Sequence, residues 1–394
     1  MPMGQKITHQ MMSNNETANT LCLIDGSGYI FRAFYALPPM NRSDGTPTNA
    51  VYGFTHMLMN LIHENSCAHM VVVFDAKRQN FRNNIYPEYK ANRREIPPEL
   101  VPQFPLIRQA CEALNVPWIE MEGYEADDLI ATYAKLATEK KWATTVISAD
   151  KDLMQLMSDS VSLYDPMKKK TITLQDVHDK FGVTPDKVTD VQALMGDSTD
   201  NIPGAAGIGP KTAAELIQRF GSLHNLLDHL EEIPQQKRRE TLIRDKEQIL
   251  ISEKLVLLAT NAPVSPDLTL FQKRPYHPQQ LIHFLVQNGF QSLIKKVQTF
   301  ATSSATVPQH ISMTYQCLRN DTELQKWLTC ITDKLVVEVQ TNPENLELIG
   351  IALANATNKA CYIPWAHIGS APQPNDDLFS TPKHLPQIDI KKCA

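Results

Sequence analysis

Four short apolar runs in this chain each deliver the backbone to an acidic residue, and that repeat constrains the fold more than any other feature. Leu21-Cys-Leu-Ile24 runs into Asp25, Met70-Val-Val-Val-Phe74 into Asp75, the stretch 116–121 into Glu125, and Thr144-Thr-Val-Ile147 into Asp150. Amphipathic stretches of helical length lie between them, at residues 50–64, 102–114 and 126–140. Short, wholly apolar strands alternating with helices need a sheet covered on both sides. A mainly parallel α/β sheet with helices on both faces is therefore expected over residues 20–183. In such sheets ligands bind beyond the carboxyl ends of the strands, and here each of those ends presents a carboxylate.

The rest of the chain changes character twice. Residues 184–298 lose the strand pattern and turn helical, interrupted by the glycine-rich segment 204–209. Residues 299–309 have the Ser/Thr/Ala composition of a linker. Beyond it, residues 310–394 hold three more strand-like runs, at 335–341, 347–353 and 360–364, then a Pro-rich tail, an expected partial α/β unit too short to close a core. Residues 1–19 are polar and lack the apolar centre of a signal segment, so a disordered tail is expected. No apolar run reaches the ~18 residues of a membrane span. The seven cysteines form no C-x-x-C pair, which fits a reducing cytoplasm and no disulfide framework.

Nine carboxylates fall in tight local groups: Asp25; Asp75; Glu125, Asp127 and Asp128; Asp150 and Asp152; Asp197 and Asp200. A lone acid at a strand end is usually a helix cap or a turn residue, and the helix dipole alone favours acids at Glu125 and Asp128. Capping does not explain why four strand ends bring acids to one edge. Carboxylates brought together raise one another's pKa unless cations neutralise them. Two hard ions with oxygen ligands, Mg²⁺ or Mn²⁺, meet that need, and such a pair supports phosphodiester hydrolysis. The overall charge of −5 argues weakly against a nucleic-acid binder, but the cations are not evenly spread.

Between the second and third strands, residues 77–94 carry six cations (Lys77, Arg78, Arg82, Lys90, Arg93, Arg94) and three aromatics (Phe81, Tyr86, Tyr89) against one acid, Glu88. Charge runs are usually solvated surface. Interleaved rings favour nucleic acid instead, because bases stack on rings while cations follow phosphates. The length of this connection and its Ile96-Pro-Pro98 tail suit a flexible segment above a site. In Gly204-Ala-Ala-Gly207-Ile-Gly209-Pro-Lys211-Thr212, Pro210 and the missing upstream strand argue against a phosphate-binding P-loop. The segment is expected to be a helix–hairpin–helix that holds a DNA backbone through Gly204, Gly207, Gly209, Lys211 and Thr212, with carbonyls able to hold one K⁺. An ordinary helix–helix turn is the alternative.

Taken in order, Leu23-Ile-Asp25-Gly-Ser, Val73-Phe-Asp75-Ala-Lys77, Tyr89-Lys90-Ala-Asn-Arg93, Glu125-Ala-Asp127-Asp128, Ala149-Asp150-Lys-Asp152 and Gly196-Asp197-Ser-Thr-Asp200-Asn-Ile-Pro-Gly204 closely resemble the 5′ nuclease (flap endonuclease) domain of bacterial DNA polymerase I, over residues 21–300. The resemblance implies a PIN-like fold and cleavage of DNA at 5′ ends, flaps, nicks and RNA primers. It implies a monomer in a bacterial cytoplasm, associated with the nucleoid. Asp25, Asp75, Glu125, Asp127 and Asp128 match positions that bind or organise a first metal ion, and Asp150, Asp152, Asp197 and Asp200 those around a second. Lys90 and Arg82 match basic residues that steady the scissile phosphate. The last unit resembles the ribonuclease-H-like start of a 3′–5′ proofreading domain. It carries Glu338-Val-Gln340 where that domain has an Asp-x-Glu pair, so no proofreading is expected. The chain could equally be the leading part of a full polymerase. A branched-DNA binding module without catalysis and a metal-dependent ribonuclease are the rivals from other classes.

Overall fold

The computed structural model describes residues 19–304, 314–329, 331, 335–341, 348–355 and 359–364. Residues 1–18 of the tail expected over residues 1–19, most of the linker and the Pro-rich tail lie outside them. The described residues fall into two compact units that divide after Thr299.

In the first unit six strands, β1 (Thr20–Asp25), β2 (His69–Val73), β3 (Trp118–Ile119), β4 (Ala143–Ile147), β5 (Val161–Asp165) and β6 (Lys170–Ile172), form one sheet in the order β3-β2-β1-β4-β5-β6. The first five are parallel; β6 returns antiparallel to β5 and closes one edge. Pairing of Leu23 with Val71 and with Val146 aligns the three apolar runs, so their carboxyl ends finish side by side. Every residue of β2 is buried, as is every one of β1 after Thr20. A fully buried Val, Leu or Ile contributes about 1.5–3 kcal/mol. A one-residue slip would turn each of these side chains over, so the positions of the terminal acids are set by the core beneath them.

Helices α1 (Gly26–Ala36), α2 (Asn49–Glu64), α3 (Phe81–Ile85), α4 (Gln103–Ala113) and α5 (Ala126–Glu139) connect the strands. Downstream come α6 (Leu174–Phe181), α7 (Val188–Met195), α8 (Pro210–Phe220), α9 (Leu223–Asp228), α10 (Gln236–Arg244), α11 (Lys246–Val256), α12 (Pro278–Gln287) and α13 (Gln291–Ser304). One apolar core runs from Leu21 and Val71 through Leu129, Ile217 and Ile249 to Phe271. The sheet and the helical region are thus packed on a common interior. The linker expected from residue 299 begins later than its composition suggested, because α13 continues to Ser304.

Among the described residues the second unit is a four-stranded mixed sheet of β7 (Thr314–Cys317), β8 (Leu335–Thr341), β9 (Leu348–Asn355) and β10 (Lys359–Pro364), with one helix, α14 (Asp321–Leu328). Its order is β7-β10-β9-β8. Three strands stand where the apolar runs predicted them. The fourth, β7, lies in a stretch, Thr314-Tyr-Gln-Cys317, with no apolar run to mark it. A small core of Leu318, Leu324, Trp327, Leu353, Cys361 and Ile363 holds it together, while all of β8 is exposed.

Candidate metal centre and nucleic-acid interface

Each acid at a strand end is held by backbone and hydroxyl donors that the fold brings to it. Asp25 caps α1, accepting from the Gly28 N–H at 3.1 Å, and takes the Ser148 hydroxyl at 2.7 Å from the end of β4. Asp75 accepts from the Ala126 N–H at 2.8 Å, tying the end of β2 to the start of α5. Asp150 accepts from the Asp152 N–H at 2.9 Å.

Burial pushes the Asp25 carboxyl up to about 6, with Asp75 and Asp150 adding repulsion against the downward pull of Ser148 and Gly28. Asp127 is driven well above the ordinary carboxylate range by burial, then by Asp150 and Asp25. Asp25, Asp75, Asp127 and Asp150 are therefore mutually repelling acids at one sheet edge. That donor set, all oxygen and short of positive charge, fits a hard divalent cation. Among the described residues no three Asp, Glu, His or Cys side chains close into a ready-made cage. Any ion would have to draw these ligands together.

The other acids are engaged by cations of the chain itself. Asp128 is fully buried and accepts both Arg82 terminal nitrogens, at 2.7 and 2.8 Å, together with the Glu125 and Ala259 N–H groups. Its expected place around a metal ion is corrected: four donors already fill its oxygens. Arg82 is corrected with it. Only 1% exposed, it also binds Glu125 at 3.2 Å and the carbonyls of Leu255 and Leu257. The guanidinium is a buried cross-link from α3 to α5 and α11, out of reach of a substrate phosphate.

Glu125 takes the Tyr89 hydroxyl at 2.9 Å and the Lys90 ammonium. Asp200 takes Arg93 at 2.6 Å and lies 3.5 Å from Lys90. Burial is the largest single influence on Lys90 and works against its charge, but Glu125, Tyr89 and Asp200 together outweigh it, and the ammonium is held above its usual range. Asp152 accepts from the Gln192 amide at 2.6 Å and from Lys151 at 3.1 Å. Asp197 pairs with the same Lys151 and takes the Thr199 N–H at 2.8 Å. Burial raises Asp152; burial also pushes Asp197 up, but its bonds to Lys151 and Thr199 and the Lys151 charge together pull it below the usual range. The nine acids are thus one repelling group of four and five that are already paired.

The basic segment is tied down where a flexible one was expected. The Lys90 N–H donates to the Asp200 carbonyl at 2.9 Å, the Asn92 amide to Ser198 at 2.7 Å, and the Asn201 amide to Glu88 at 2.6 Å. Lys90 and Asn201 both adopt positive φ at this junction. Beneath the segment lies an open cavity of about 830 Å³, lined by Ile30, Phe31, Asp75, Lys90, Arg93 and Arg108 among others. Lys77 pairs with Glu122 and Arg78 with the Arg94 carbonyl, all on the surface. Phe81 packs against Tyr124 with the rings tilted by 55°, and Tyr86 packs on the apolar core. Tyr89, at 5% exposure, is corrected as a stacking surface: its ring is inside the protein and its hydroxyl is on Glu125.

The glycine-rich segment connects α7 to α8. Gly204 is corrected as a backbone-contact residue: it is buried, donates to Ser252 and accepts from Gln248. A Cβ there would stand 2.3 Å from the Gly196 nitrogen, so glycine is required for packing. Gly207 has φ +73° with open space around it, Gly209 caps α8, and Lys211 is exposed on its first turn, with Thr212 half-buried beside it. Asp197 and Asp200 lie inside the same loop, closed by the Asp197–Ile202 pair. Sequence reasoning missed Ser148, Lys151 and Gln192. Ser148 and Lys151 were adjacent to noted acids, whereas nothing local marked Gln192.

The model of the 5′-3′ exonuclease N-terminal resolvase-like domain matches residues 20–182, and that of the 5′-3′ exonuclease C-terminal SAM fold matches residues 183–279. A 5′-3′ exonuclease of Aquifex aeolicus is 40% identical over 281 residues, covering 71% of this chain and 95% of the relative. A DNA polymerase I of Rhizobium leguminosarum is 48% identical over 285 residues, covering 70% of this chain but 28% of the polymerase. The chain therefore spans well under half of the polymerase it matches. A bacteriophage T5 flap endonuclease, solved as a pseudo-enzyme-product complex with DNA and metal ions, aligns with TM-score 0.51 and 25% identity, covering 72% of this chain and 98% of that one.

Proposed function

The chain belongs to the 5′-3′ exonuclease family and is a metal-dependent nuclease of that class; from that premise we propose that it trims DNA 5′ ends and cuts 5′ flaps, nicked strands and primer ends as a monomer, in a bacterial cytoplasm close to the nucleoid. The observation that carries the site assignment is the repelling group of Asp25, Asp75 and Asp150 at or just beyond the ends of β1, β2 and β4, with Asp127 on the first turn of α5. These four would hold a first Mg²⁺ or Mn²⁺, and Asp152 with Asp197 a second. When bound, such a pair of ions supplies a nucleophile at neutral pH and offsets charge on the attacking and leaving oxygens. Lys90, poised over Glu125 and Asp200 at the edge of the cavity, would orient the scissile phosphate, with Arg93 and Arg94 following the strand. Gly207, Gly209, Lys211 and Thr212 would hold the duplex, and carbonyls near Gly207 would take a K⁺. The units assigned are residues 20–183 for catalysis, 184–298 for DNA binding and 310–394 for a proofreading-like segment without activity.

Incubating a 5′-flap substrate with the chain in Mg²⁺ and in EDTA tests this reading: cleavage at the flap base is expected only with the metal. Equal cleavage in EDTA would sink it.

A further inference from the structure

The Lys151 ammonium lies between Asp152, its immediate neighbour in the chain, and Asp197, which comes from a distant loop. Asp152 opens the short 3₁₀ turn after β4, whereas Asp197 sits on the loop leaving α7, 46 residues from Lys151. The lysine bonds Asp152 Oδ1 at 3.1 Å, an oxygen that the Gln192 amide also reaches at 2.6 Å, and it bonds Asp197 Oδ2. The other Asp197 oxygen is taken by the Thr199 N–H. One side chain thus joins the two acids and supplies a single positive charge where the second divalent ion was assigned.

Its setting differs from that of the other internal cations. Arg82 is buried, with every guanidinium nitrogen bonded, and cannot leave without an uncompensated charge inside the protein. The Lys151 side chain is 29% exposed, and the amine sits on a flexible four-carbon stem, so it can swing to water at small cost.

We propose that Lys151 is a built-in competitor for the second metal site: it holds Asp152 and Asp197 in place while the site is without its ion, and it must leave for the second divalent ion to bind both. This rests on the two-ion reading above. The second ion is then held weakly until a DNA phosphate arrives, because the phosphate adds ligand charge and offers the displaced ammonium a partner. Lys151 is a positioning residue here, acting through the two acids.

The test is calorimetric titration of Mn²⁺ into the full chain without DNA, with electron paramagnetic resonance to detect paired ions. Lys151→Met should leave the first ion's affinity within about twofold and tighten the second about tenfold, since a repelling cation has gone from its contact distance. Lys151→Arg, which keeps the charge, should behave like the parent. Thermal melts of both variants report whether they fold. A second affinity that is unchanged or weaker in a folded Lys151→Met chain overturns the role given to Lys151 while leaving the metal centre intact. Failure of parent and variant alike to bind Mn²⁺ overturns both.

Discussion

The two units of this molecule are both built on sheets of largely apolar strands, and they arrive at different electrostatics. In the first, adjacent parallel strands β2, β1 and β4 stop at one edge and place Asp75, Asp25 and Asp150 within repelling distance. In the second, β9 runs antiparallel to both neighbours, and β8 carries Glu338 next to the amide of Gln340 on a fully exposed strand. Parallel neighbours bring like ends together, whereas antiparallel ones send them to opposite edges. A multi-acid centre is therefore a natural product of the first sheet, whereas among the described strands of the second Glu338 is the only acid.

The sharpest way to break that contrast is to neutralise one of the strand-end acids. Asp25→Asn or Asp150→Asn should lower single-turnover flap cleavage at least about 10²-fold while flap binding changes little. A loss confined to the dissociation constant would mean that these acids serve binding.

Next in size is Arg82→Ala, which leaves Asp128 charged and unpaired in the interior. About 3–5 kcal/mol of stability should go, read as a lower urea midpoint with unchanged slope. If Arg82→Ala melts like the parent and loses only cleavage, the residue acts on substrate after all.

Repulsion within the acid group should also appear as a pH effect. The folded Asp25 carboxyl titrates at about 6, above the ~3.9 of an unfolded Asp. Its contribution to stability is complete below pH ~4 and is lost as pH rises through ~6. Metal-free protein should therefore melt higher at pH 5 than at pH 7, relative to Asp25→Asn, and Mg²⁺ at pH 7 should recover the difference. A gap between the two proteins that does not vary with pH would show that the edge is not strained.

Gly207→Val is a smaller perturbation on the helical side of the same unit. The position has φ +73° with nothing near it, so strain falls on the turn alone. Duplex binding should weaken several-fold with a shallower salt dependence, and Mn²⁺ affinity should stay. The smallest effect belongs to the second unit. Glu338→Ala should leave flap cleavage unchanged, and the parent should not shorten a mispaired 3′ end whose 5′ ends are blocked. Stepwise shortening that Glu338→Ala abolishes would erase the contrast between the units.

What the sequence determined by itself was periodic or terminal. Apolar runs and their end acids marked β1, β2 and β4, and 3.6-residue spacing marked α2, α4 and α5, because burial on a regular element leaves a regular trace in composition. The acids themselves were legible for the same reason. Only the tertiary structure decided how those acids divide, because their partners come from distant segments: Arg82 reaches Asp128 and the carbonyls of Leu255 and Leu257, and Gln192 reaches Asp152. A cation's sequence does not say whether it will face a phosphate or be enclosed. Arg82 and Lys90 stand in one basic run, yet packing of α11 against α3 encloses the first and leaves the second at the cavity wall. Pairing of a charge depends on which surfaces meet, and that is fixed only when the core between them closes.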